Sequence, residues 1–228
     1  MNALSSSFDP AARVLYQDSL VMVLDKPAGL PVHGGPAGDD NLESHLGLLR
    51  FGYKETPALA HRLDRDTAGC LILGRNHRAL RKLGRLFEQR KIRKTYWAVV
   101  TGAPTPPEGI IDRPIKKLST KGSGWRMVTA ADGQRAVSAY QTLGRSDDGL
   151  AWLELNPRTG RTHQIRVHCA AVGCPIMGDE QYGTPGPTLH LLARAIEIPL
   201  FEDRPPIRVS APAPPHMQDA LKACGWKS

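Results

Sequence analysis

Cysteine is scarce in this chain, and long apolar runs are missing from it. The four cysteines include no Cys-x-x-Cys pair, so the sequence predicts no zinc site, no other metal site and no disulfide framework. No apolar run approaches the roughly 20 residues needed to span a bilayer. Residues 1–10 also lack the basic start and apolar stretch of a signal peptide. We therefore expect a soluble, cytoplasmic protein with no membrane partner.

Acidic residues are outnumbered by basic ones. Lys and Arg total 30 against 22 Asp and Glu, a formal net charge of +8, which favours a polyanionic partner such as nucleic acid. Hydrophobic residues make up 41% of the chain, enough for a real core. No internal repeat or long linker divides the 228 residues. We expect a tail at 1–12 and one domain at 13–228.

Short apolar runs rich in β-formers predict strands, and caps followed by helical spacing predict helices. The predicted helices begin after Asn41, Asn76 and Thr162, the last running to Val172, with a further short helix at 217–224. Residues 116–126 are predicted as an insertion with equal chances of contacting RNA or having no role, and 127–135 as turns. The predicted strands lie at 13–16, 20–24, 69–73, 95–100, 109–115, 136–143, 150–155 and 207–212.

The stretch at 60–69 places two acids among cations, directly before an apolar run at 70–73. Arg62 and Arg65 flank Asp64, and neighbouring guanidinium groups favour an ionised carboxylate. An ionised and positioned carboxylate can act as a nucleophile or as a base. A structural ion-pair network is the other interpretation of an Asp beside Arg.

The helix predicted after Asn76 is strongly basic. Between residues 75 and 94 there are nine cations, among them Arg78 and Arg85, against the single acid Glu88. Like charges at helical spacing repel one another, and a phosphate backbone is one reason to keep them together. A solvated amphipathic face is the alternative.

Four motifs resemble those of the RluA-type RNA pseudouridine synthases. They are His-Arg-Leu-Asp-x-x-Thr-x-Gly at 61–69, Asp-Lys-Pro-x-Gly-Leu-x-Val-His at 25–33, Lys-x-Tyr at 94–96 and Thr-Gly-Arg-x-His-Gln-Ile-Arg-x-His at 159–168. The segments at 173–183 and 189–193 also match, so the resemblance covers about residues 15–212. One departure is Ala68, where the family commonly has Ser and a hydroxyl is therefore lost.

The resemblance assigns roles to individual residues. It implies that Asp64 is the catalytic residue, that Tyr96 stacks on the uracil and assists proton removal, and that Arg166 pairs with Asp64. Arg62 would fill the space left by the flipped nucleotide. We expect further RNA contacts from the basic helix through Arg78 and Arg85, and from other motif residues: His61, Arg65, Thr67, Arg161, His163, Gln164 and Ile165. The i, i+5 spacing of His163 and His168 differs from that of a helical metal pair.

The resemblance also implies a fold and a reaction. The fold is one α+β domain with a mixed, mostly antiparallel central sheet flanked by helices and loops, without the N-terminal S4 RNA-binding domain of many relatives. The reaction breaks the C1′–N1 bond of a uridine, rotates the uracil and rejoins it through C5. No metal or redox cofactor is required. Whether Asp64 attacks the sugar or acts as a base on a glycal route stays open.

The sequence predicts one function and leaves two alternative functions open. We expect a monomeric isomerase that forms pseudouridine in structured RNA, in tRNA, large-subunit rRNA or both. One alternative is a non-catalytic RNA-binding protein of the same fold. Another is an aspartyl-phosphate hydrolase, because residues 64–67 read Asp-Arg-Asp-Thr, which is close to an Asp-x-Asp-x-Thr string. That chemistry places the Asp at the end of an apolar strand, whereas here the apolar run follows the motif.

Overall fold

The computed structural model describes residues 8–35, 40–120 and 124–227. The strands, in chain order, are β1 Val14–Gln17, β2 Val21–Lys26, β3 Ala58–Leu59, β4 Ala68–Gly74, β5 Arg93–Thr101, β6 Glu108–Asp112, β7 Ile115–Thr120, β8 Gly124–Thr129, β9 Val137–Arg145, β10 Leu150–Pro157, β11 Leu191–Ile198 and β12 Ile207–Ser210. The α-helices are α1 Leu42–His45, α2 His77–Glu88, α3 Gln164–Ala171 and α4 Pro215–Ala223. The α+β class predicted from the sequence is confirmed.

Contacts within the chain group it into two compact units. The first contains residues 1–93 and 193–212, and the second contains 94–192 and 213–228. None of the helices within the described ranges is long and apolar enough to cross a bilayer.

The first unit is built on the strand order β1, β2, β4, β11, with β3 also pairing with β4 and β12 with β11. The pairings β1–β2, β2–β4, β3–β4 and β11–β12 are antiparallel. All seven residues of β4 are buried, as expected for a continuous apolar run in the interior of a sheet. The predicted strand that follows the 60–69 stretch is therefore confirmed and fixes that stretch to the core.

Both predicted asparagine caps in this unit are confirmed. The Asn41 side chain accepts a hydrogen bond from Ser44 N at 3.1 Å, and α1 continues as a 3₁₀ turn at Leu46–Leu49. The Asn76 side chain accepts one from Ala79 N at 2.8 Å at the start of α2. Each cap satisfies a backbone N–H that has no partner inside the helix. The apolar face of α2 is buried, so its basic face points outward.

The second unit is built on the strand order β5, β10, β9, β6, and these neighbours pair antiparallel. The segment predicted as an insertion and turns instead forms a separate antiparallel hairpin of β7 and β8. Its sequence is polar and glycine-rich, but Ile115 at the start of β7 is buried with Ala136 and Val167, and partly buried Met127 of β8 packs against this group. That tertiary packing overrides weak local β propensity.

The predicted cap of α3 at Thr162 is wrong. The helix begins at Gln164, and the capping position is His163, whose φ is 54° and whose side chain makes no cap hydrogen bond. The Gln164 side chain accepts hydrogen bonds from Arg161 N at 3.1 Å and from Thr159 Oγ1 at 2.7 Å. These bonds hold the chain in a turn before the helix, so Thr162 lies outside it.

His168, on α3, makes the stability of this unit sensitive to acid. Its ring is fully buried, with Nδ1 3.0 Å from Ser138 Oγ and Nε2 3.0 Å from the Arg113 carbonyl oxygen. Burial lowers the pKa of His168 below its usual value of 6.5, although the bond to the carbonyl opposes that shift. The neutral form is therefore favoured in the folded protein, whereas the unfolded chain takes up a proton near pH 6.5.

We expect the free energy of unfolding to fall as the pH drops below 6.5, by up to about 1.4 kcal/mol per pH unit for each such histidine. Burial also lowers the pKa values of His190 and His216. Urea unfolding at pH 7.5 and 5.5 measures the effect. The free energy of unfolding of His168→Gln should depend less on pH than that of wild type, whereas replacing exposed His77 by Gln should leave the pH dependence unchanged. Equal pH dependence in wild type and His168→Gln would contradict the role given to His168.

Candidate active site

Asp64 lies in a tight turn that leads directly into β4. Thr67 N donates a hydrogen bond to the Asp64 carbonyl oxygen at 3.1 Å, and Thr67 is buried. Asp64 is half-buried, while Arg62 and Arg65 on either side of it are exposed. The strand thus anchors the turn, and the turn presents one carboxylate between two exposed guanidinium groups.

Lys26, at the end of β2, fixes the backbone of this turn through hydrogen bonds. Its ammonium Nζ donates hydrogen bonds to the carbonyl oxygens of Pro27 at 2.9 Å, Leu30 at 2.8 Å and Arg65 at 2.8 Å. Lys26 is completely inaccessible to solvent. An ammonium has three N–H donors, so the three carbonyls satisfy it fully and join the 27–30 loop to the residue after Asp64.

The charge on Lys26 depends on its surroundings. Burial lowers the pKa of Lys26 to about 7, while the carboxylates of Asp66 and Asp64 raise it. The same Arg65 carbonyl also accepts a hydrogen bond from Gly29 N at 3.0 Å. Gly29 has φ 86°, a conformation that glycine adopts without steric cost. Lys26 lies in the motif matched at 25–33 but was assigned no role from the sequence; its other signal is a charged residue at the end of an apolar strand.

His61 fixes the beginning of the turn segment. The backbone N–H of Ile72, on β4, donates to His61 Nε2 at 3.0 Å, and the His61 ring lies 5.0 Å from the Phe87 ring. Accepting at Nε2 requires this nitrogen to be unprotonated. The contact gives His61 a structural function, beside the RNA contact that the sequence predicts.

The exposed side of α2 carries the predicted phosphate-binding cations. Arg78, Arg81 and Arg85 are all exposed at helical spacing, opposite the buried apolar side. Lys82 differs from them because its Nζ lies 4.1 Å from the centre of the Phe201 ring. The three arginines form one continuous positive strip, which we call the α2 arginine strip.

Tyr96 and the block at 159–168 belong to the second unit. Tyr96 is buried on β5, in register with Leu155 on β10. Gln164 is also buried, and its amide nitrogen donates to the Val137 carbonyl oxygen at 3.0 Å and to Ser138 Oγ at 2.9 Å. Gln164 therefore ties the turn before α3 to β9. Ile165 is buried beside it, whereas Arg161 is exposed.

His163 connects α3 to the β7–β8 hairpin. Its ring stacks on the Trp125 ring with centroids 5.2 Å apart, and its Nδ1 lies 2.8 Å from the Tyr182 hydroxyl. The same hydroxyl accepts a hydrogen bond from Met127 N at 3.0 Å. These contacts give His163 a positioning function within the second unit.

Arg166 makes a two-point ion pair with Asp179. Arg166 Nε donates to Asp179 Oδ2 at 2.8 Å, and Nη2 donates to Oδ1 at 2.7 Å. Both residues are buried. Asp179 lies in the segment at 173–183 that matches the family, but it was assigned no role from the sequence; that match was the available signal.

The two groups of residues differ in chemistry. The turn at 61–67 supplies a carboxylate between exposed cations, and the second unit supplies a buried arginine and aromatic side chains. Within residues 8–35, 40–120 and 124–227, no three His, Cys, Asp or Glu side chains cluster closely enough to hold a metal ion.

Comparison with known proteins gives consistent matches over most of the chain. The sequence profile of the family described as RNA pseudouridylate synthase matches residues 20–171. The chain is 44% identical over 214 residues to an uncharacterised RNA pseudouridine synthase of Zymomonas mobilis, covering 92% of this chain and 97% of that protein. It is 33% identical to the mitochondrial pseudouridylate synthase RPUSD4 of Xenopus tropicalis, covering 92% and 80%.

Two solved human structures are similar to this one. RNA pseudouridylate synthase domain containing 4 superimposes with a TM-score of 0.80 at 29% identity, covering 96% of this chain and 95% of that one. RNA pseudouridylate synthase domain containing 1 gives a TM-score of 0.76 at 27% identity, covering 92% and 86%.

Proposed function

The chain belongs to the RluA-type family of RNA pseudouridine synthases, which are isomerases, and from this we propose that it converts specific uridines in structured RNA with Asp64 as the catalytic residue. Asp64 acts either at C1′ of the ribose or as a base that opens a glycal route. Either route needs an ionised carboxylate held against the sugar. The freed uracil then turns and bonds through C5.

The observation that carries this proposal is the way the Asp64 turn is held. Buried Lys26 and Gly29 both bond to the carbonyl oxygen of Arg65, the residue after Asp64. A fixed backbone limits the positions open to the carboxylate, and correct orientation of a reacting group contributes strongly to rate. A carboxylate that reacts at one position of the ribose needs a fixed location of this kind.

Other roles in the proposal come from the motif residues. Tyr96 stacks on the uracil and assists loss of the C5 proton, for which its ring and hydroxyl are suited. Arg166 orients Asp64 through a charge-assisted pair. Arg62 takes the space of the flipped nucleotide, whose extrusion costs a few kcal/mol. Exposure of Arg62 in the free protein is compatible with that role.

The α2 arginine strip is proposed to bind the RNA backbone. We expect Arg78→Gln together with Arg85→Gln to weaken RNA binding by roughly 10-fold at moderate salt, because two phosphate contacts are lost. The slope of log affinity against log salt should become smaller by about 1 to 2. Fluorescence anisotropy across a salt series measures both quantities.

The control for this prediction is Lys222→Gln, an exposed cation on α4. It should leave the salt slope unchanged, because a single surface charge outside the strip contributes little. Turnover at saturating RNA should also survive the double substitution. An unaltered salt slope in the Arg78→Gln, Arg85→Gln variant would remove α2 from the binding surface.

We propose tRNA, large-subunit rRNA or both as substrates, and a monomer acting in the cytoplasm; the name of the Xenopus relative places that protein in mitochondria. Pseudouridine mapping of total tRNA and rRNA tests the activity and identifies the target. Cells lacking the protein are compared with cells that carry wild type or Asp64→Asn.

A uridine whose modification disappears and returns only with wild type would support the proposal and name the substrate. If no site changes, the proposed catalysis in these RNAs is wrong. RNA binding without catalysis would then become the leading account. Subcellular fractionation of the tagged protein tests the compartment separately.

A further inference from the structure

Arg166 is held in one orientation by a single buried carboxylate. The Nε and Nη2 atoms of Arg166 donate to the two oxygens of Asp179 at 2.8 and 2.7 Å. The side chain of Arg166 is 9% exposed and that of Asp179 is fully buried. A two-point pair of this kind fixes the plane of the guanidinium group as well as its position.

Asp179 is itself held by the backbone around it. Its Oδ1 also accepts hydrogen bonds from Gln181 N and Tyr182 N, both at 3.0 Å. Gly183 N donates to the Asp179 carbonyl oxygen at 3.0 Å. Four donors therefore converge on the carboxylate, two from Arg166 and two from the backbone. The carboxylate cannot move without breaking several of these bonds.

The turn before Asp179 requires glycine. Gly178 has φ 76°, and a Cβ built there would lie 2.1 Å from the Thr188 carbonyl oxygen. Any other residue would have to displace backbone. A tightly packed turn that favours glycine therefore places this carboxylate.

Tyr182 covers the other side of Arg166. The Arg166 guanidinium carbon lies 5.0 Å from the centre of the Tyr182 ring, within the range of a cation–π contact. The Tyr182 hydroxyl is in turn fixed by Met127 N and lies beside His163 Nδ1. Arg166 is therefore restrained by an ion pair along one edge and by an aromatic ring over one face.

We propose that Asp179 is a positioning residue for catalysis, which sets the orientation of the Arg166 guanidinium. The inference rests on the proposed function, in which Arg166 orients Asp64. A buried ion pair seldom adds net stability, because desolvation of both charges offsets their attraction. A need to orient Arg166 explains why this pair is buried despite its desolvation cost, whereas a gain in stability does not.

Asp179→Asn tests the proposal, because the side-chain oxygen of Asn can still accept the two backbone N–H groups while one bond to Arg166 is lost. We expect kcat to fall about 10- to 100-fold, because a small misplacement of a catalytic group can cost about that much in rate, with RNA affinity changed less than about 3-fold. Asp179→Glu keeps the charge but moves it outward by one methylene, and should also lower kcat. The matched control is Glu180→Gln, which removes the neighbouring exposed carboxylate and should leave kcat unchanged.

A second background separates positioning from a purely structural role. In an Arg166→Lys protein, adding Asp179→Asn should lower kcat by less than about 3-fold further, because the two residues act as one unit. If Asp179→Asn lowered kcat by the same factor in the Arg166→Lys protein as in wild type, the proposal would be overturned. An unchanged kcat in Asp179→Asn and Asp179→Glu would also overturn it. If the Asn variant fails to fold by circular dichroism, the Glu variant decides the question alone. Absence of activity in wild type would instead refute the proposed function.

Discussion

Replacing Asp64 by Asn is expected to abolish pseudouridine formation while RNA binding persists. Asn has nearly the same size and keeps an oxygen, but it cannot act as a nucleophile or a base. Removal of an essential catalytic group typically lowers rates by at least about 10³-fold. Single-turnover assays with excess enzyme measure the loss, and anisotropy should show RNA affinity within about 3-fold of wild type.

The matched control lies in the same turn. Asp66 is partly exposed and paired with Arg65 at 3.1 Å, so Asp66→Asn removes an acid two residues away without touching Asp64. We expect its rate to stay within a few-fold of wild type. Comparable losses in both variants would mean that the net charge of the turn matters, and would argue against a specific catalytic role for Asp64.

Replacing Lys26 by Met is expected to cause the largest loss of stability. Met has a similar length but donates no hydrogen bonds, so the carbonyl oxygens of Pro27 and Leu30 would lose their Lys26 donor, while that of Arg65 would keep only its bond from Gly29 N. Each unsatisfied buried group costs about 1–3 kcal/mol, and removing the buried charge offsets part of that sum. We expect the free energy of unfolding to decrease by roughly 2–4 kcal/mol in urea titrations.

Lys91→Met is the control for this stability change. Lys91 is exposed just beyond α2, and a substitution at such a site usually changes stability by less than about 0.5 kcal/mol. If Lys26→Met unfolds at the same urea concentration as Lys91→Met, Lys26 does not hold the Asp64 turn. The fixed backbone on which the catalytic proposal depends would then need another cause.

Features that depend on local sequence could be predicted. The apolar run at 70–73 is enough to identify a buried strand, and Asn41 and Asn76 identify helix starts because their side chains cap nearby backbone donors. These patterns predict mixed α and β structure, and the α+β class with a mostly antiparallel sheet was implied by the family resemblance. The turn that contains Asp64 could be placed because it joins directly onto β4.

Features that depend on distant parts of the chain could not be predicted. Lys26 follows Asp25 at the end of an apolar run, and only the fold brings the Arg65 carbonyl, 39 residues away, to its ammonium group. The β7–β8 hairpin has weak alternation, and its Ile115 and Met127 pack with Ala136 and Val167 from other parts of the chain. The start of α3 depends on the Gln164 side chain folding back, which displaces the cap expected at Thr162. Strand β11 was matched only as a short motif near its start.

The most direct test of the central claim is nucleoside analysis of a defined RNA after incubation with the purified chain. The RNA should contain a uridine identified by mapping, and the reaction should include EDTA, since the proposed chemistry needs no metal. We predict that wild type converts that uridine to an isomer of equal mass and different retention time, and that Asp64→Asn forms none of this isomer. Full conversion by Asp64→Asn, or conversion by wild type only when Mg²⁺ is supplied, would contradict it.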